Sequence, residues 1–156
     1  MASLKVIHYG GASEFIVRSS APFVGKVDAA VMVVAGTLFH MIPASLRIMC
    51  SAAFVILWIV AKLEKVVSES IFAVKGLGLE IRTRRVWRRS SQFIDIARIS
   101  DICINEALYR FGVVTYMAIL IREEDNMLIP YENILPPVTI LQRVYKECWK
   151  ELYHEP

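Results

Sequence analysis

The fold class predicted from the sequence is α+β: an N-terminal transmembrane or re-entrant helical hairpin, then a small antiparallel β domain with a C-terminal amphipathic helix. Three observations carry this. Residues 27–61 hold almost no charge; beyond Glu64 the apolar pattern turns to strict alternation; after Pro136 and Pro137 it turns again, to spacings of three and four. With 156 residues the chain has room for one domain plus an appendage. Its hydrophobic share of 56% exceeds the roughly 45–50% of an ordinary soluble domain, and the excess is expected to meet lipid.

Residues 1–26 mix Lys5, His8, Glu14 and Arg18 with glycines and serines and contain no apolar core of the kind a secretory signal needs. They are expected to form a loose cytosolic tail. In 27–61 the only acidic, basic or imidazole side chains are Asp28, His40 and Arg47, and Pro43 stands near the middle. One helix crosses a bilayer in about 20 residues and two need about 40 plus a turn, so this stretch is too long for one span and marginal for two. Split at Pro43, each arm has roughly 16–18 residues, or about 24–27 Å. A hairpin is expected, with Lys26 on one flank and Lys62 and Lys65 on the other holding both termini in the cytosol. Trp58 lies one turn before Lys62, where an interfacial indole belongs. Arg47 costs about 2.5–3.5 kcal/mol at the bilayer centre, so it is expected at the hairpin tip.

Residues 62–156 are expected to form the β domain. A Gly-Leu-Gly turn at 76–78 separates Ile71 to Val74 from a strand in which Leu79, Ile81 and Thr83 face one way and Glu80, Arg82 and Arg84 the other. Further strands are expected at 93–96, 99–108, 113–121 and 127–129, broken by polar or glycine stretches at 88–91, 110–112 and 123–126. Leu141, Val144, Tyr145, Cys148 and Leu152 then mark one face of a terminal helix. A strand meander closed by one helix resembles a pleckstrin-homology-like barrel.

Three blocks, in order, carry a resemblance to a known family: ESIFAVKGLGLEIRT at 69–83, FIDIARISDICINEALY at 93–109, and IPYENILPPVTILQRVYKECWKEL at 129–152. Together they resemble the PIG-H family, and Ile104, Asn105, Glu106 and Ala107 are the most specific part. Asp95, and Pro136-Pro137-Val138, depart from the family pattern. The resemblance implies an endoplasmic reticulum membrane protein whose soluble domain faces the cytosol. It implies a non-catalytic subunit of the complex that transfers N-acetylglucosamine from UDP-GlcNAc to phosphatidylinositol, the first step of GPI-anchor synthesis. The implied partners are a PIG-A-type catalytic glycosyltransferase, other subunits and membrane lipid. The alternative is a membrane-bound phosphoinositide-binding module acting outside that complex.

The residues themselves offer no active site. Catalysis by a triad needs a nucleophile beside a held histidine, and His8, His40 and His154 sit in the tail, an apolar helix and the terminus. Cys50, Cys103 and Cys148 are far apart, which argues against a zinc site or disulfide framework. The acidic run Glu123, Glu124 and Asp125 reads as a solvated turn, and no P-loop or Rossmann glycine pattern is present. No cofactor or metal is expected, and no nucleic acid. The strongest chemical signal is basic: Arg82, Arg84, Arg85, Arg88 and Arg89, with Trp87 among them, are candidates together with Trp58 for contact with membrane headgroups. Phe93, Ile94, Asn105 and Glu106 are candidates for contact with a partner protein of the complex.

Overall fold

The computed structural model describes residues 3–19, 22, 25–40, 43–109, 112–122 and 127–153. Strands β1 (Ser3–Tyr9), β2 (Ala12–Arg18), β3 (Val66–Val74), β4 (Gly78–Arg85) and β5 (Arg89–Asp95) form one antiparallel sheet in sequence order. A 3₁₀ turn at Ile96–Arg98 leads to a second sheet of β6 (Ile99–Tyr109), β7 (Gly112–Ile121) and β8 (Met127–Leu128). Helix α3 (Val138–Tyr153) packs on β2 and β3 of the first sheet and on β6 and β7 of the second. These elements, residues 3–19 and 66–153, are one compact unit.

Alternation builds its core. Phe15 and Val17, Ile71 and Ala73, Leu79, and Ile94 point inward from β2 to β5; Ile102, Met117 and Ile119 answer from the second sheet, and Leu141, Val144, Cys148 and Leu152 from α3. The β3–β4 turn depends on Gly78, where φ is +147° and a Cβ would meet the Ile94 carbonyl oxygen at 2.1 Å. A side chain is excluded there by both strain and space.

Three expectations change. Ser3–Arg18 is a β-hairpin, not a loose tail: β2 pairs with β3 along its whole length and buries Phe15 and Val17 completely. The alternation of Phe15 and Val17 with Glu14, Ile16 and Arg18 supplies the buried face such a strand needs. The domain therefore starts before the apolar segment, not at residue 62. Second, the sheets do not close into a barrel; among the described residues no strand ladder joins the five-stranded sheet to the three-stranded one. Third, β5 begins at Arg89, within the stretch read as a break, because a strand at a sheet edge can keep polar side chains outward. Residues 110–111, His154 and the acidic run at 123–125 lie outside the described residues.

Residues 20–65 are a separate unit with two helices, α1 (Lys26–His40) and α2 (Ala44–Leu63). Pro43 is the N-cap of α2, at the division the sequence suggests, and Arg47 lies in the first turns of that helix. Asp28 of α1 and Lys62 of α2 form an ion pair at 2.6 Å, and the rings of Phe39 and Phe54 meet edge to face at 5.7 Å, so the helices run antiparallel. The arms are unequal. Among the described residues only α2, over Ser45–Leu63, is long and apolar enough to cross a membrane; α1, at about 1.5 Å per residue, is roughly 22 Å long.

Candidate functional site

Strand register sorts the outward face of the five-stranded sheet into rows. In the first, Arg18 faces Ser68, Ser68 faces Arg84, and Arg84 faces Arg89. Ile16, Ser70, Arg82 and Ser91 form the second, and Glu14, Phe72, Glu80 and Phe93 the third. The face is concave, enclosing a hollow of about 660 Å³ whose lining includes Arg18, Arg82, Arg84 and Arg89.

The rows differ in charge. Arg82 is held by two carboxylates: it donates to Glu80, lies 3.5 Å from Glu14 Oε1, and stacks over the Phe72 ring at 4.6 Å. Its guanidinium holds the Glu80 carboxyl below the ordinary glutamate value, and Glu80 in turn raises the Arg82 pKa. Ser70 donates to Glu14 as well, at 3.2 Å. Glu14 and Glu80 are thus engaged by the middle row, and the Arg18–Ser68–Arg84–Arg89 row contains no acid at all.

The five clustered arginines therefore separate. Arg84 and Arg89 share a row, Arg82 is neutralised, Arg85 alternates onto the other side of β4, and Arg88 lies exposed in the turn before β5. Arg18 was not singled out from the sequence, although its alternation with Val17 carries the signal. Trp58 is on α2 with the Lys62 ammonium 5.7 Å from its ring centroid. Among the partner-contact candidates, Phe93 is exposed but Ile94 is 2% exposed and belongs to the core, so Ile94 is closed to a partner. Asn105 and Glu106 are exposed on β6 opposite Tyr116 and Thr115, and Asn105 Nδ2 lies 3.6 Å from Cys103 Sγ.

Two further groups emerge only in three dimensions. His8 is on β1, with Nδ1 2.9 Å from the hydroxyl of buried Ser13, which donates to Glu151 of α3 at 2.7 Å. With the Ser13 hydroxyl proton directed at Glu151, Nδ1 is the donor to Ser13. The serine stands between imidazole and acid, whereas a nucleophilic triad needs the imidazole in the middle; the trio pins the N-terminal hairpin to α3. Buried Glu69 accepts from the Asn133 side chain at 2.7 Å and from the Asn133 and Ile134 backbone amides at 3.3 and 3.2 Å. Tyr131, in the same loop with φ +61°, donates its hydroxyl to the Phe15 carbonyl at 2.8 Å. These bonds bind the loop before α3 to the five-stranded sheet.

The structure defines a class: a two-sheet α+β domain, interrupted after its first hairpin by an apolar helix pair and presenting a basic concave sheet face. A family model described as the PIG-H component of the GPI-GlcNAc transferase complex matches residues 70–132. The chain is 32% identical over 152 residues to phosphatidylinositol N-acetylglucosaminyltransferase subunit gpi15 of Schizosaccharomyces pombe, covering 92% of this chain and 94% of that protein. It is 28% identical over 138 residues to the H-type component of the same-named transferase from Mus musculus, covering 83% of this chain and 73% of the relative. Against the Homo sapiens H-type component the figures are 26% over 98 residues, 58% and 52%. No solved structure matches the chain. The chain belongs to the PIG-H family.

Proposed function

We propose that this chain is a non-catalytic subunit of a phosphatidylinositol N-acetylglucosaminyltransferase complex, anchored in the endoplasmic reticulum membrane by α1 and α2 and docking a PIG-A-type catalytic subunit on the cytosolic side. The observation that carries this reading is the near full-length relation to gpi15, named as a subunit of that transferase. The helices favour the membrane part: Ile48, Met49, Ile56 and Leu57 of α2 are exposed, and α1 buries no residue.

The sheet topology favours a hairpin over a single span. Arg18 is paired with Ser68, and the Ser19 amide donates to the Val67 carbonyl at 3.1 Å, so the chain leaves the sheet and rejoins it at one place. A segment whose two ends are hydrogen-bonded to each other cannot deliver them to opposite faces of a bilayer. It must cross an even number of times, or dip and return.

Affinity capture of the full chain from endoplasmic reticulum membranes tests the docking role. A PIG-A-like glycosyltransferase is expected in the captured material, with transfer of N-acetylglucosamine from UDP-GlcNAc to phosphatidylinositol; its absence overturns the subunit reading. Glycosylation acceptors added before Ser3 and after Tyr153 test the topology. Both are expected to stay unmodified, and modification of either end overturns it.

A further inference from the structure

We propose that the hollow on the outer face of the five-stranded sheet binds a phosphate group, held by Arg18, Arg84 and Arg89 with the Ser68 hydroxyl between them. The geometry of the sheet carries this whether or not the chain assembles with a transferase.

Neighbouring strands are about 4.8 Å apart, so Arg84 and Arg89 are adjacent and Arg18 stands roughly 10 Å from Arg84 with Ser68 between. All four residues line the same hollow. Like charges directly opposite each other on a sheet are destabilising, and Arg84 is directly opposite Arg89. The neighbouring rows avoid this penalty by setting Glu14 and Glu80 against Arg82. Among the described residues no carboxylate forms an ion pair with Arg18, Arg84 or Arg89. The face thus carries its own neutralisation for one arginine and leaves three for a ligand.

The chemistry of that ligand follows from the donors. Guanidinium forks bind tetrahedral oxyanions bidentately, and charge-assisted hydrogen bonds are roughly twice as strong as neutral ones. Three forks and a hydroxyl around one volume suit a phosphate, with oxygens to reach more than one fork, better than a single planar carboxylate. The hollow, about 660 Å³, falls within the roughly 300–1,000 Å³ of small-ligand sites, leaving room for the group that bears the phosphate. That group can belong to a lipid headgroup or to a soluble phosphate compound. Arg18 stands eight residues before Lys26 of α1, and Ser68 five after the end of α2, so the row lies at the end of the sheet from which the apolar helices leave.

The full chain in maltoside detergent micelles, which contain no phosphate, titrated calorimetrically with inorganic pyrophosphate at fixed ionic strength, tests the site. Saturable binding is expected, weakened about tenfold by R84Q or R89Q and several-fold by R18Q, and unchanged by R88Q, whose side chain lies outside the row. All four arginines are exposed, so no variant should lower the melting temperature, and R84Q or R89Q, which relieves the Arg84–Arg89 repulsion, should raise it slightly. Repeating the titration in micelles that contain phosphatidylinositol identifies the source. Competition by the lipid assigns a headgroup phosphate; undiminished pyrophosphate binding assigns a soluble one. Absence of saturable binding to the wild-type chain, or equal weakening by R88Q, overturns the proposal.

Discussion

Ile71 of β3 is fully buried and Ile48 of α2 is 77% exposed, although both lie in regular elements among apolar neighbours. In the sheet domain, apolar residues at every second position meet α3 and the second sheet. In the helix pair they cover the circumference, and most of those described remain exposed. Burial removes apolar surface from water at roughly 25 cal/mol per Å². The sheet domain gains that term by folding, whereas the helices gain it only from a surrounding that the chain does not supply. Similar side chains thus do two jobs, and the periodicity of the sequence tells them apart.

The comparison is broken most directly by making the same substitution in both regions. Ile71→Ala is expected to lower the unfolding free energy of the sheet domain by about 2–5 kcal/mol, measured by denaturant titration of the full chain in detergent with near-ultraviolet circular dichroism. Ile48→Ala is expected to change it by less than about 0.5 kcal/mol. Equal losses would mean that α2 is packed against protein.

A smaller effect sharpens how the sheet domain closes. Glu69→Gln leaves one acceptor oxygen for a loop that now uses two, at an expected cost of about 1–3 kcal/mol. Hydrogen exchange should accelerate at the Asn133 and Ile134 amides while α2 amides keep their rates. Unchanged exchange in the loop would show that Tyr131 alone holds it.

A further effect is alkaline. Burial pushes the Cys148 thiol and the Tyr131 phenol well above their ordinary values, so both stay protonated in the folded domain. In the unfolded chain they ionise near pH 8.5–9 and about 10. The folded state then holds more protons, and stability falls as pH rises above about 9, by up to about 1.4 kcal/mol per pH unit for each group. Thermal melts of the sheet domain should show this loss, and Cys148→Ala should remove the part that sets in below pH 10. A slope unaltered by that change would assign the loss to other groups.

Most of residues 66–153 was legible because each element there carries its own period: two for Ile71 to Ala73 and Leu79 to Thr83, three and four for Leu141 to Leu152. Pro43 likewise marked the division between α1 and α2. What escaped was long-range. The Ser3–Tyr9 and Ala12–Arg18 strands are short, and β2 finds its outer partner only after the whole helix pair has intervened. The arginines were visible as a run, but their separation depends on Glu14, which β2 brings beside Arg82, and on Arg18, which the same strand brings into line with Arg84. Glu69 looked like any charged strand residue, since the groups that use its carboxylate belong to a loop far along the chain.

The interruption of the sheet also sets an order of synthesis. When Arg18 emerges from the ribosome, β2 has β1 beside it but not β3, and a two-stranded hairpin is marginal in water. Roughly fifty residues must follow before Ser68 appears, about 2–10 s at ordinary elongation rates. During that wait Phe15 and Val17 have no core to enter, while α1 and α2 are made and delivered to their own surroundings. The first hairpin is thus a latch cut before its keeper. It also means that a fragment starting after the helices lacks a core strand, so the sheet domain cannot be isolated by trimming the chain at one point.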